Sequence, residues 1–173
     1  MTQGKIVYLL VILGICAVTD FREKKIKNRW IILGLAGAVI FLISQREVQA
    51  VKDALLTAAV FFAVLFPLYV LRAAGAGDVK LLCTAALYIG KEEIEIFLAG
   101  VLLAGGMMSI AKMLYYGTIK KRIRYFAAYV QQIFLSRTVK EYGMPEEKTE
   151  VLGMAVPVFI GALGWSLWIY IMK

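Results

Sequence analysis

Apolar residues in this chain are gathered into six runs, separated by short charged or glycine-bearing segments. A helix that crosses a bilayer needs about 20 mostly apolar residues. The third, fifth and sixth runs reach that length. The first and second reach it only with flanking Lys, Arg and Trp side chains that extend to the membrane surface, and the fourth is the shortest. The pattern predicts an all-α integral membrane protein with six transmembrane helices, at about residues 5–20, 29–45, 53–72, 78–90, 94–116 and 151–172.

Composition and charge agree with this class. Apolar residues make up 61% of the 173 residues, above the roughly 45–50% of soluble domains. Six spans put fifteen of the twenty basic residues on one side of the membrane, whereas five spans would divide them almost evenly. Because basic loops stay in the cytoplasm, we expect one membrane domain over residues 1–173 with both termini outside. The net charge of +8 then faces anionic lipid, and no nucleic-acid partner is expected.

Two aspartates stand at the ends of apolar runs, and the predicted topology places both at the cytoplasmic face. Asp20 precedes a basic stretch, and Asp78 follows a glycine-rich turn. Two carboxyl groups about 3 Å apart cannot comfortably ionise together, so one holds a proton that the other lacks. Such a pair can take a proton from water and donate one to a carbonyl oxygen and then to a leaving amine. Asp20 and Asp78 are therefore candidate catalytic residues for peptide hydrolysis.

The glycines before Asp78 have two predicted roles. Gly75 and Gly77 are expected to give the backbone access to positive φ and to leave room for a neighbouring helix beside Asp78. The turn also places Asp78 near a helix N-terminus, where free N–H groups can hold its carboxylate. The same pattern is found in an ordinary turn followed by a helix cap, so the glycines alone do not establish a catalytic role.

Other polar residues near the two aspartates have alternative roles. Arg22 and Lys80 either tune the aspartates or contact lipid phosphate. Asn28 either caps the second span or forms a hydrogen bond near Asp20.

Two further segments leave alternatives open. The longest polar segment, residues 117–150, begins with apolar and basic residues at roughly helical spacing. It is either an amphipathic helix lying on the cytoplasmic leaflet or a packed cytoplasmic continuation of the fifth span.

In the last run, Gly153, Pro157 and Gly161 are small residues four apart, which lets neighbouring helices approach closely. Alternatively, Pro157 loosens this helix so that an extended substrate can dock there.

Metal and cofactor sites are not expected. The chain has no histidine, and its two cysteines, Cys16 and Cys83, lie in apolar runs without a Cys-x-x-Cys pair. A Cys/His zinc site is therefore excluded by ligand count, and both cysteines are predicted to be packing residues.

The two motifs closely resemble those of the type IV prepilin peptidases, which are membrane aspartyl proteases of the Gly-x-Gly-Asp class. The residues that carry the resemblance are Asp20-x-Arg22-x-x-x-Ile26-x-Asn28 and Gly75-Ala76-Gly77-Asp78-Val79-Lys80-Leu81-Leu82. It implies that Asp20 and Asp78 are the catalytic pair and that the region of Pro157 is the proline-bearing last span of the family. The implied substrate is a prepilin or pseudopilin, whose short basic leader is removed at the cytoplasmic face of the inner membrane.

The chain departs from the family pattern in two ways. Lys27 stands where the family commonly has proline, which allows a differently shaped turn after Asp20 without consequence for catalysis. Larger members carry a four-cysteine zinc loop in an additional N-terminal region and also N-methylate the mature pilin. This chain starts at its first span without those cysteines. It therefore resembles the compact, peptidase-only kind associated with tight-adherence (Flp) pili or with competence and secretion pseudopili, and methyl transfer is not expected.

Two rival functions use the same aspartates. A small proton- or ion-coupled transporter would use them as a relay, but its carboxylates would lie near span midpoints and its sequence would show internal pseudo-symmetry. A metal-dependent transferase acting on lipid phosphates would use them as Mg²⁺ ligands and would usually need more clustered carboxylates than two.

Overall fold

The computed structural model describes residues 3–45, 47–70, 74–120, 123–125, 128, 131 and 153–172. Within these residues the regular elements are all helices, and each apolar run forms one of them. Their ends lie within five residues of the predicted spans. The helices are α1 (Gln3–Glu23), α2 (Asn28–Ser44), α3 (Val48–Val70), α4 (Ala76–Tyr88), α5 (Ile94–Tyr115) and α6 (Ala155–Met172).

Helix length separates four of these elements from the other two. Helices α1, α3, α5 and α6 are long and apolar enough to cross a membrane. Helix α2 is apolar but has 17 residues, and α4 has 13. At 1.5 Å per residue α4 rises about 20 Å, which is short of the roughly 30 Å hydrocarbon core. The described structure is thus a helical membrane protein with four full-length candidate spans, and the predicted count of six is not confirmed.

The surface of the helices is unusually apolar. In α3 and in α5, only 17% of the most apolar 18-residue stretch is buried inside the protein. Thr57 is the one buried residue of α3. A soluble protein seldom exposes apolar patches of this extent. The exposed apolar faces of these two helices fit a membrane protein.

Helices α1 and α6 form the centre of the bundle. They pack against each other, α6 also packs on α5, and α4 packs on α2 and α3. The core between α1 and α6 contains Leu9, Leu13, Val158 and Trp165, all fully or almost fully buried. Cys16 is also completely buried, as predicted for a packing residue, whereas Cys83 is half-buried.

Close helix approach depends on glycine in two places. At the crossing of α5 and α6, a Cβ on Gly161 would lie 2.7 Å from the backbone nitrogen of Val101, so the prediction of tight packing along the last helix is confirmed there. On α2, a Cβ on Gly37 would lie 2.6 Å from the Tyr88 hydroxyl. That hydroxyl donates a hydrogen bond to the Gly34 carbonyl oxygen, which ties α4 to α2.

Pro157 does not interrupt the last helix. Helix α6 begins at Ala155, so Pro157 lies in its first turn, where the absent N–H removes no internal hydrogen bond. The alternative of a helix loosened by Pro157 is therefore wrong.

Most of the segment 117–150 lies outside the described residues, although residues 119–120, 123–125, 128 and 131 are helical. Its placement on the membrane surface stays a prediction.

Candidate functional site

A cavity of about 710 Å³ lies where α1 ends and where α2, α4 and α6 begin. It brings together the two motifs, which are far apart in sequence. The lining residues are Asp20, Lys24, Lys25, Ile26, Lys27, Asn28, Arg29, Gly75, Ala76, Gly77, Asp78, Lys80 and Gly153.

Asp20 lies in the last turn of α1 and is 4% exposed. Its Oδ2 accepts a hydrogen bond of 3.1 Å from the backbone N–H of Ala155, the first residue of α6. The partial positive charge of a helix N-terminus favours a carboxylate in this position. The start of the last helix therefore holds and orients a side chain from the end of the first.

Gly153 completes the contact around Asp20. A Cβ at this position would overlap Oδ2 of Asp20 and lie 2.6 Å from its Cγ. No residue other than glycine fits against the carboxyl group without displacing it. Gly153 is thus part of the wall that fixes Asp20.

Asp78 lies in the first turn of α4. Its Oδ2 accepts a hydrogen bond of 3.1 Å from the backbone N–H of Gly75, the residue that precedes the helix. The carboxylate thereby satisfies one of the N–H groups left free at a helix start. The prediction that a helix N-terminus holds Asp78 is confirmed.

The two motif glycines matter because they lack a side chain, and not because they adopt a special backbone conformation. Gly75 has φ −77°, and within the described residues positive φ occurs only at Lys24 and Gly117. The expectation of positive φ at Gly75 and Gly77 is therefore wrong. The expectation of a close approach is confirmed, because a Cβ on Gly77 would lie 3.3 Å from Cβ of Ile26.

The contact between Gly77 and Ile26 joins the two motifs directly. Ile26 is 9% exposed and lies in the short turn between α1 and α2. Its side chain fills the space that a larger residue at position 77 would occupy. This contact keeps the start of α4 beside the turn that follows Asp20.

The turn between α1 and α2 has a defined shape. Helix α1 ends in a left-handed residue, Lys24, with φ 52°, whose N–H donates to the Asp20 carbonyl oxygen at 2.9 Å. Lys27 has φ −77° and ψ 126°, which are values that proline also adopts. Lysine in place of proline therefore does not require a different backbone at this residue.

The predicted supporting residues divide into two groups. Asn28 and Lys80 line the cavity together with Gly75 and Gly77. Arg22 is exposed in the last turn of α1 and does not line it. Pro157 is buried near Gly105 of α5 and does not line it either.

Sequence reasoning gave no role in the site to three residues that build it, although Gly153 was predicted to allow close packing and Ile26 belongs to the first motif. Gly153 and Ala155 fix Asp20, and Ile26 fixes the start of α4. The position of Gly153 two residues before the last helix was a usable signal, because a helix start supplies free N–H groups. Nothing in the sequence indicated which carboxylate those groups would bind.

The comparisons with known proteins concern the same part of the chain. The model of the type IV leader peptidase family matches residues 7–110, which is more than half of the chain and includes both aspartates. No curated protein sequence matches, and no solved structure matches. The family match covers α1 from residue 7, all of α2 to α4 and most of α5. The chain belongs to the type IV leader peptidase family.

Proposed function

We propose that the protein is a membrane aspartyl endopeptidase that removes the basic leader peptide of a prepilin or pseudopilin, with Asp20 and Asp78 as its catalytic pair. The observation that carries this proposal is the shared cavity, which is lined by both carboxyl groups although they come from different helices. Family membership supplies the class of substrate.

The anchoring of the two side chains supports the pairing. One oxygen of each carboxyl group accepts a backbone N–H, from Ala155 for Asp20 and from Gly75 for Asp78. Among the described residues no hydrogen bond is made to the second oxygen of either group, and in the proposed reaction this oxygen contacts the water molecule or the substrate. Holding both carboxyl groups in place before the substrate arrives lowers the entropic cost of the reaction.

The reaction needs one proton shared by the pair. The ionised carboxylate takes a proton from water as the water oxygen bonds to the carbonyl carbon of the scissile peptide, and the protonated carboxyl donates its proton to the carbonyl oxygen. The resulting gem-diol then collapses: the protonated carboxyl donates its proton to the amide nitrogen, the ionised carboxylate takes a proton from one gem-diol hydroxyl, and the C–N bond breaks as the carbonyl re-forms. The pair again holds one proton at the end, and this proton belongs to the pair and not to either residue.

The expected orientation follows from the basic residues. The end of the molecule that carries the cavity also carries the basic turn between α1 and α2, and the positive-inside rule assigns that end to the cytoplasm. A volume of about 710 Å³ is within the range of ligand pockets. We infer that the scissile bond enters here from the cytoplasmic boundary of the inner membrane, with the apolar pilin helix remaining between the spans.

The position of the aspartates argues against a transporter. Asp20 lies in the last turn of α1 and Asp78 in the first turn of α4, whereas a relay would need carboxylates near span midpoints.

Within the described residues no group of three or more His, Cys, Asp or Glu could hold a metal ion. We therefore expect leader cleavage to continue in the presence of a metal chelator, and inhibition by EDTA would favour the metal-dependent transferase.

The test is co-expression with a small prepilin, followed by a gel that resolves precursor from product. Asp20→Asn and Asp78→Asn keep the side-chain shape but cannot transfer a proton, so each should abolish leader removal at unchanged protein level. The third aspartate of the chain provides a matched control, because Asp53 lines a different cavity and Asp53→Asn should leave cleavage intact. If processing survives either of the first two substitutions, the aspartyl-protease proposal fails.

A further inference from the structure

The mouth of the cavity carries more positive than negative charge. Five of its lining residues are cations and two are carboxylates, which leaves an excess of three positive charges if both aspartates are ionised. We call these five residues the basic mouth; they are Lys24, Lys25, Lys27, Arg29 and Lys80.

Most of this charge is not neutralised by the protein. Within the described part of the chain, one ion pair forms at the mouth, between Lys27 and Glu23. Lys24, Lys25, Arg29 and Lys80 are exposed. Concentrated cations repel one another and attract anions from outside the protein.

Two neighbouring aromatic rings indicate the depth of the mouth in the membrane. The Lys24 ammonium lies 5.7 Å from the ring centre of Phe21, and the Arg29 guanidinium lies 5.0 Å from that of Trp30. Phe21 is 72% exposed although it is apolar. Aromatic rings such as Trp with a cation beside them are typical of the headgroup layer of a bilayer.

We propose that the basic mouth binds the phosphate groups of anionic membrane lipids. Clusters of four to eight Lys and Arg beside the cytoplasmic end of a transmembrane helix bind anionic lipid, and each cation near the surface raises the preference about fivefold. A soluble phosphate ion offers the same chemistry. A lipid headgroup is the better match because the apolar helices hold the mouth within the headgroup layer.

A consequence for catalysis rests on the proposed function. A basic leader that approaches Asp20 and Asp78 has to pass the cations of the basic mouth. Because both are positively charged, they repel each other. An anionic lipid at the basic mouth supplies the opposite charge and leaves the aspartates accessible. Leader cleavage should therefore be faster in bilayers that contain phosphatidylglycerol than in pure phosphatidylcholine.

Lipid binding can be measured without any catalysis. The purified full chain is equilibrated in mixed phosphatidylglycerol and phosphatidylcholine micelles, and the lipids that stay bound are counted by native mass spectrometry. Lys24→Gln/Lys25→Gln removes two charges from the basic mouth. Lys52→Gln/Lys91→Gln removes two charges at the opposite end of the bundle and is the matched control. Thermal unfolding verifies that each variant is folded, and Arg29→Gln is a second variant of the mouth if the first is not.

The expected result is a preference of the wild type for phosphatidylglycerol that falls about 25-fold in Lys24→Gln/Lys25→Gln and is unchanged in the control. Equal binding of both lipids by the wild type, or an equal loss in both double variants, would overturn the proposal. Displacement of the lipid by millimolar inorganic phosphate would also overturn it, because the partner would then be a soluble anion. Asp20→Asn should keep the lipid preference, so a failure of the catalytic proposal is distinguishable from a failure of this one.

Discussion

The contact between Gly153 and Asp20 leads to the sharpest test of the site. In Gly153→Ala, the new Cβ would overlap Oδ2 of Asp20, lie 2.6 Å from Cγ and lie 3.0 Å from Oδ1. Favourable carbon contacts need about 3.5 Å, so the carboxyl group has to move by about 1 Å. Because the backbone of residue 153 precedes a helix that is packed into the core, we expect the side chain of Asp20 to yield and not the helix.

The magnitude follows from what Asp20 loses. The displacement breaks its 3.1 Å hydrogen bond from the Ala155 N–H, and a hydrogen bond contributes about 0.5–1.5 kcal/mol. A misplacement of about 1 Å in a catalytic group can cost about 100-fold in rate. We therefore expect Gly153→Ala to lower the rate of leader cleavage at least about 100-fold, while overpacking lowers the free energy of unfolding by about 1–3 kcal/mol.

The assay is a time course of leader cleavage by purified protein, with thermal unfolding measured on the same samples. Gly164→Ala is the matched control, because a Cβ at this exposed position of α6 meets no atom within 4 Å. It should keep full activity and stabilise the helix by about 0.5–1 kcal/mol. If Gly153→Ala cleaves at the wild-type rate, the carboxyl group of Asp20 does not act from the position described above.

Substitutions at three further positions test the packing of the helices. Gly37→Ala should lower the free energy of unfolding by about 1–3 kcal/mol, measured by thermal denaturation in detergent, because its Cβ would lie 2.6 Å from the Tyr88 hydroxyl; an unchanged midpoint would contradict this. Tyr88→Phe should cost about 1 kcal/mol in the same measurement, because it leaves the Gly34 carbonyl without its donor, and a neutral effect would mean that the bond contributes nothing. Gly77→Val should reduce cleavage more than Gly77→Ala does, because Cβ alone already lies 3.3 Å from Ile26; equal rates for the two variants would show that this contact does not position the site.

The helices, and the position of both aspartates at helix ends, could be predicted because each depends on local sequence. Apolar runs bounded by charge define the helices, and a carboxylate at the end of such a run needs a reason to be there. The hydrogen bond from Gly75 to Asp78 spans three residues, so local helix-cap rules were enough to predict that a helix N-terminus holds Asp78.

The supporting contacts could not be predicted because they join distant parts of the chain. Ala155 and Asp20 are separated by 135 residues, and no rule of periodicity or spacing relates them. The glycines illustrate the same limit. A glycine can serve positive φ or close approach, and only the presence of Ile26 against Gly77 shows that close approach applies here.

The short length of α4 explains why the cavity lies where it does. A helix of 13 residues is about 10 Å shorter than the hydrocarbon core, or about two turns. Helices α1 and α3, which both contact α4, are long enough to span, so space is left beyond both ends of α4. Among the described residues, a cavity of about 710 Å³ lies beside Asp78 and another of about 320 Å³ lies beside Ile89. We therefore expect the short length of α4 to leave room for polar groups near the boundary of the membrane.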